Sequence, residues 1–247
     1  MFIQPEIFRS HPVIAVQSTR HGGISVAPFD SLNMGFSTTD IPENILRNRS
    51  RFYSALNIPE NNIVLSKQTH GKEILVANEP GRHEGFDAII TNVIGLYAVI
   101  SVADCTPVLI YDKKNNCCAA IHAGWRGTEQ KIVLHTLEKM KTEFGTTGEN
   151  CMAFIGACIG YNHFEVGHEV AEKFPDQHKR FDNEKKKYFV DLKSANLSQL
   201  LSSGMKKENI EISKFCTIAD NDKFFSYRKE KGFTGRMIAV IGLKKEI

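Results

Sequence analysis

The sequence of 247 residues has no C-x-x-C pair, and its six cysteines, Cys105, Cys117, Cys118, Cys151, Cys158 and Cys216, follow no regular spacing. This argues against a disulfide framework and for reduced thiols, most of them small apolar side chains, with Cys105 set apart by its polar context. There is no Walker or G-x-G-x-x-G motif, so the common glycine-rich nucleotide cradles are absent. Neither sign of charge is in excess: 31 Lys and Arg against 28 Asp and Glu leave a formal net charge of +3. The charges are scattered, which supplies no nucleic-acid or membrane-surface footprint, and KKK at Lys185–Lys187 reads as a solvated loop. No apolar run nears the roughly 18 residues of a membrane span, and the opening MFIQPEIFRSHPVIAVQ lacks the basic and long apolar regions of a signal peptide. The expectation is a cytoplasmic protein. Without repeats, low-complexity tracts or a Pro/Gly/Ser linker, residues 1–247 read as one catalytic domain, with enough apolar sequence (42%) for a sizeable core.

What the chain does have is strands. Apolar runs predict them at VIAVQS from Val13, IVLS from Ile63, DAIIT from Asp87, YAVISVA from Tyr97, PVLIYD from Pro107, CCAAIH from Cys117, MAFIG from Met152 and MIAVIG from Met237. Helical spacing predicts one helix after Pro42, with Ile45, Phe52, Tyr53 and Leu56 on one face. It predicts a second from a Thr128 cap to Gly145, with Val133, Leu137, Met140 and Phe144 inward. Further helices are expected over Glu165–Phe174 and from a cap at Asp191 to Gly204. The junctions at Thr106 and at Lys113–Asn116 are too short for helical crossovers, so the sheets must be partly antiparallel. An α+β sandwich with mixed sheets fits better than a doubly wound parallel sheet.

Three polar clusters fall at strand ends: KQTHG (Lys67–Gly71), ADC (Ala103–Cys105) and HAGWRG (His122–Gly127). If their strands are neighbours, His70, Cys105 and His122 converge as two imidazoles and a thiolate. Three such ligands leave one tetrahedral position open, as catalytic zinc sites do. The spacing, 35 and 17 residues, carries no local signature, and a histidine at a strand end also serves as an ordinary hydrogen-bonded residue. Gly124 and Gly127 with Arg126 would let a helix N-terminus near Thr128 approach an anion such as phosphate; a tight strand-to-helix turn is the plainer reading of the same residues. Arg20, Arg228 and Arg236 also sit in compact polar-glycine contexts, where arginine binds phosphate or carboxylate, caps a turn or simply faces water.

In order along the chain, TRHGG, SLNMG, KQTHG, DAIIT, VADCTPVLIYD, AAIHAGWRGT, IGACIG, FEVG, FFSYRKE and TGRM resemble the YfiH-type laccase-domain family, the relatives of FAMIN. The resemblance runs from about Thr19 to Gly242. It implies a layered α/β/β/α sandwich of CNF/YfiH-like type and zinc-dependent purine nucleoside phosphorolysis, acting on adenosine, inosine, guanosine and methylthioadenosine, with adenosine deamination as a further activity. It implies His70, Cys105 and His122 as zinc ligands, and brings Arg20 and Arg228, with Arg126, forward as phosphate ligands. The sequence departs from the family at Ala157, where proline is common, and at His163, where small residues or Cys are common.

On these expectations Cys105, Asp104 and His122 are the catalytic candidates, with Asp104 either moving a proton during deamination or orienting a metal ligand. The partners are a purine nucleoside and phosphate, with no nucleic acid or membrane, and the protein is a monomer or homodimer. The family's older description as a multicopper polyphenol oxidase fits poorly, because such enzymes need about ten histidines, many in H-x-H pairs. This chain has nine and no such pair, although copper could enter the single site. Two other classes use the same residues. One is a metal-independent cysteine hydrolase or deamidase, with Cys105 as nucleophile and His122 as base, which could include editing of peptidoglycan precursors. The other is a non-catalytic, zinc-stabilised binding protein.

Overall fold

The computed structural model describes residues 1–245. In chain order its strands are β1 (Phe2–Ile3), β2 (Val13–Ser18), β3 (Ile63–Lys67), β4 (Ile74–Val76), β5 (Gly81–Glu84), β6 (Ala88–Thr91), β7 (Tyr97–Val102), β8 (Thr106–Asp112), β9 (Cys117–Ala123), β10 (Cys151–Ile155), β11 (Glu165–Val166), β12 (Lys179–Asp182), β13 (Lys187–Val190), β14 (Ile210–Ile212) and β15 (Met237–Leu243). The α-helices are α1 (Pro42–Ala55), α2 (Trp125–Glu129), α3 (Ile132–Phe144), α4 (His168–Ala171) and α5 (Leu192–Ser202).

Two six-stranded mixed sheets face each other, ordered β1-β2-β15-β7-β3-β5 and β14-β10-β8-β9-β6-β4, with a small sheet β11-β13-β12 beside them. Their inner faces meet in a core that includes Ala98, Ile100, Ala239 and Ile241 from the first sheet and Ile89, Leu109, Cys118 and Ala120 from the second. The outer face of the first sheet packs on Phe52 and Tyr53 of α1; that of the second packs on Val133, Leu137 and Met140 of α3 and Leu200 of α5. The layers are thus α/β/β/α, the sandwich that the sequence and its resemblance implied. A strand covered on both faces has no solvent side, so CCAAIHA of β9 and MIAVIGL of β15 are apolar throughout instead of alternating.

The β8–β9 turn makes an antiparallel hairpin, as its length required. The Thr106 junction does something else: β7 belongs to one sheet and β8 to the other, so Ala103–Cys105 carries the chain across the sandwich. Similarly, β3 and β7 are direct parallel neighbours, whereas β9 lies in the facing sheet.

The helix expected from Thr128 is two helices. Thr128 is buried inside α2, which begins after Gly124, and Lys131 adopts a left-handed conformation (φ 60°, ψ 39°) that breaks the path before α3. Gly145, also left-handed, stops α3 as expected. Glu165–Phe174 is not one helix either: Glu165 and Val166 pair with β13, and only His168–Ala171 is helical after Gly167. Asp191 caps α5 by accepting from the Ser194 amide. Lys185–Lys187 is exposed, at the turn between β12 and β13 and the start of β13. Among the described residues no helix is long and apolar enough to cross a membrane.

Candidate active site

The three polar clusters converge where the chain crosses between the sheets. His70 follows β3, Cys105 ends the crossing and His122 lies near the end of β9; one ligand atom from each falls within 4.8 Å of the others. His70 and His122 meet edge to face, with ring centroids 4.8 Å apart. His122 is buried, Cys105 half-buried and His70 exposed, so the cluster opens to one side. Among the described residues this is the one group of three His, Cys, Asp or Glu side chains that can hold a metal ion.

Asp87, fully buried just before β6, organises the cluster. Its Oδ1 lies 2.7 Å from His122 Nδ1 and accepts the His70 amide at 3.0 Å, while its Oδ2 accepts the Thr69 and Gly71 amides at 3.1 and 2.8 Å. Fixing Nδ1 leaves His122 Nε2 for the cluster, the arrangement by which carboxylates orient metal-binding histidines. Burial disfavours the Asp87 charge, but the His122 hydrogen bond and charge, with the Gly71 and Thr69 amides, hold its pKa at about 2. Sequence reading took DAIIT only as a strand; nothing local marks its aspartate as the partner of a histidine 35 residues on.

The thiol is activated by its neighbours. Burial opposes ionisation of Cys105, yet the charge and hydrogen bond of His122, with the hydrogen bond and charge of His70, bring its pKa down to about 6. Burial likewise opposes protonation of His122, but the Cys105 charge and Asp87 hydrogen bond prevail and raise it to about 9. Burial without such partners does the reverse to Cys117 and Cys158, pushing them up to about 12 and about 11. All six cysteines are free thiols.

The backbone is tailored to the cluster. His70 (φ 61°) and Asp104 (φ 81°) are left-handed without being glycine, a conformation that stores strain at sites held by their surroundings. A Cβ on Gly124 would stand 3.1 Å from Cys105 Sγ and 3.4 Å from His70 Cδ2, so a larger residue there would crowd the thiol. A Cβ on Gly127 would meet the Gly71 carbonyl at 2.9 Å. These glycines therefore serve close packing, the plainer of their two readings, and the five-residue α2 offers no long helix terminus to an anion.

A cavity of about 600 Å³ opens from the cluster over the outer face of the first sheet. Leu65, Val99 and Ile238 give it an apolar floor, and Asp104, Arg126 and Arg228 line it. Arg126 is exposed and stacks on Trp125 at 4.3 Å. Arg228 donates from its guanidinium to the Glu165 carbonyl and from its backbone amide to Asp104 Oδ2 at 2.6 Å. Thr217 Oγ1 donates to the other oxygen of Asp104, so that carboxylate is tied on both sides and joins the Thr217 and Arg228 loops. Arg20 stands outside the cavity lining. It donates to the carbonyls of Asp30 and Asn221, pairs with Glu230 and stacks on Phe225, so it joins two loops, and its second amino group lies 3.5 Å from an Asp30 carboxylate oxygen. Arg236 takes a place among the lining arginines instead.

Residues 14–244 match the family described as "Multi-copper polyphenol oxidoreductase laccase". The chain belongs to that family. A Bacteroides thetaiotaomicron relative named "Purine nucleoside phosphorylase" is 40% identical over 92% of this chain and 90% of its own length. Escherichia coli "Purine nucleoside phosphorylase YfiH" is 37% identical over 98% of both chains. Among solved structures, YlmD from Geobacillus stearothermophilus superposes with a TM-score of 0.92 at 30% identity, covering 98% of this chain and 94% of that one. YfiH from Bacillus licheniformis gives 0.93 at 28% identity, with 98% and 96% covered. The "multi-copper" of the family description finds no counterpart in the donor residues of this laccase-family chain, since the described residues supply one His-Cys-His cluster and no second.

Proposed function

We propose that this chain is a zinc-dependent purine nucleoside phosphorylase, converting a purine nucleoside and phosphate into the free base and ribose 1-phosphate. The observation that carries this reading is the convergence of His70, Cys105 and His122 on a cavity lined by free arginine and apolar floor alike. Relatives of matching length bear that name. Two imidazoles and a thiolate are donors zinc favours, three ligands leave the fourth position open, and the Asp87–His122 contact is the outer support such sites use. Copper binds nitrogen and sulfur donors more tightly than zinc and can enter the same site, but one cluster does not assemble several coppers. When bound, zinc would supply Lewis-acid polarisation and, for deamination of adenosine as a second activity, activation of water.

The protein's own part is binding and orientation. Leu65, Val99 and Ile238 offer the nucleoside an apolar bed. Arg126 and Arg228 neutralise the phosphate as one of its oxygens bonds to C1′ and the C1′–N9 bond breaks, its electron pair leaving with the purine. Asp87 holds the His122 ring, and Asp104 anchors the Arg228 main chain. Adenosine, inosine, guanosine and methylthioadenosine are the substrates of this reading.

The test incubates zinc-quantified protein with adenosine, with and without phosphate, and resolves adenine from inosine. Adenine formed only with phosphate supports phosphorolysis, and inosine in both arms adds deamination. No turnover by fully zinc-loaded protein refutes the reading. The low pKa of Cys105 favours one rival, a cysteine hydrolase with His122 as base. Loss of activity on chelation and its return with zinc exclude that rival, whereas full activity of metal-free protein, ended by alkylation of Cys105, would establish it.

A further inference from the structure

The cavity has a second polar end that the reaction above does not use. Period-two alternation and strand register set its members on one face of the first sheet: Arg82 stands opposite Leu65 and Glu84 opposite Lys67, with Leu65 opposite Val99. Arg82 and Lys67 are exposed cavity-lining residues, and neither side chain enters an ion pair or hydrogen bond among the described residues. Glu84, although paired in register with Lys67, lies beyond ion-pair distance of it and outside the lining. Phe36 covers this end, with the guanidinium carbon of Arg82 4.8 Å and that of Arg49 4.6 Å from its ring centre. Arg49 is buried and committed to the Met34 carbonyl and the Tyr53 hydroxyl, so it adds a fixed positive charge and holds the ring. Ser37, exposed in the same lining, adds a hydroxyl.

Six Lys and Arg side chains line the whole cavity against one carboxylate, Asp104, which is already hydrogen-bonded on both oxygens. A concave surface of one sign with an apolar floor focuses its field on an incoming anion. We propose that Lys67, Arg82 and Ser37, backed by Arg49 and Phe36, form a second anion subsite for a phosphate-class dianion, either free inorganic phosphate or the phosphate of a nucleotide. Lys67 is three residues before His70, a reach of at most roughly 11 Å along extended chain, so one small ligand can touch both ends of the cavity. That the subsite serves nucleoside chemistry rests on the reading above; that it binds a dianion does not.

The experiment titrates the zinc-loaded protein with inorganic phosphate and, separately, with adenosine 5′-monophosphate, following binding by calorimetry at fixed ionic strength. The variants are Lys67→Ala with Arg82→Ala, Arg82→Gln alone, and Lys185→Ala as a control for bulk charge. Because binding is read directly, absence of phosphorolysis would leave the outcome interpretable. A tenfold or greater weakening of phosphate in the double variant supports the subsite and makes free phosphate its ligand. Unchanged phosphate with tenfold weaker nucleotide supports it with the nucleotide as ligand. Affinities for both probes within twofold of the parent, or an equal loss in Lys185→Ala, overturn the proposal. Zinc content and thermal melting establish that the variants are folded, and Arg82→Gln, which keeps the stem and a donor, gives an independent reading should the double variant misfold.

Discussion

Asp87 and His122 lie 2.7 Å apart, Oδ1 to Nδ1, and both are buried, although 35 residues separate them in the chain. The same carboxylate gathers the amides of Thr69, His70 and Gly71, so one side chain sets both the ring of one proposed ligand and the backbone turn carrying another. Asp87→Asn keeps the shape and removes the charge. The variant should bind zinc about 10–100-fold more weakly, measured by competition with a metal-indicating chelator. An unchanged affinity would mean that His122 is oriented by something other than Asp87.

The Cys105–His122 pair has a pH window that follows from its two shifts. With the thiol lowered to about 6 and the imidazole raised to about 9, the metal-free protein holds a thiolate beside an imidazolium between those values. Alkylation of metal-free protein by iodoacetamide, followed by mass spectrometry, should therefore label Cys105 with a midpoint near pH 6, while the buried Cys117 and Cys158 stay silent. His122→Ala should move that midpoint upward. A midpoint near 9 in the parent protein would contradict the arrangement.

How far the sequence announces all this depends on whether the signal is local. β9 and β15 are legible because strands buried on both faces show as unbroken apolar runs. β5, GRHE, is not, because a mostly exposed edge strand has no apolar face to show. The His70, Cys105 and His122 cluster is legible as three polar groups at strand ends, yet their meeting across two sheets is a property of the Ala103–Cys105 crossing. The settings of Asp87 and Arg20 are not legible for one reason: a buried charge is defined by its partners, and theirs lie up to 35 residues away for Asp87 and 210 for Arg20. The break at Lys131 likewise carries no glycine or proline to mark it.

That break makes a prediction about stability. Lys131 is left-handed at φ 60°, a conformation that costs a residue with a Cβ about 1–2 kcal/mol. Glycine removes that cost but gives the unfolded chain more freedom, worth about 0.5–1 kcal/mol the other way. Lys131→Gly should therefore stabilise the protein by about 0.5–1 kcal/mol, seen in calorimetry as a rise in Tm of about 1–4 °C. A fall in Tm would show that the lysine side chain contributes more to the α2–α3 corner than its backbone strain removes.

Asp104 separates two accounts of the same residue. Its oxygens accept from Thr217 Oγ1 and from the Arg228 amide at 2.6 Å, which fits an anchor for the loop proposed to face phosphate. As a proton carrier, it would lose deamination on conversion to Asn and keep its KM for phosphate. As an anchor, Asp104→Asn leaves an amide group facing one of two donors, a loss of about 1.5–3 kcal/mol of charge-assisted hydrogen bonding at the loop. Asn also tolerates the positive φ of this position, so the backbone should keep its course. The expected result is a rise in the KM for phosphate of the order of tenfold during phosphorolysis, with zinc content unchanged and deamination retained. Selective loss of inosine formation, with phosphate saturation unaltered, would return Asp104 to the acid–base role.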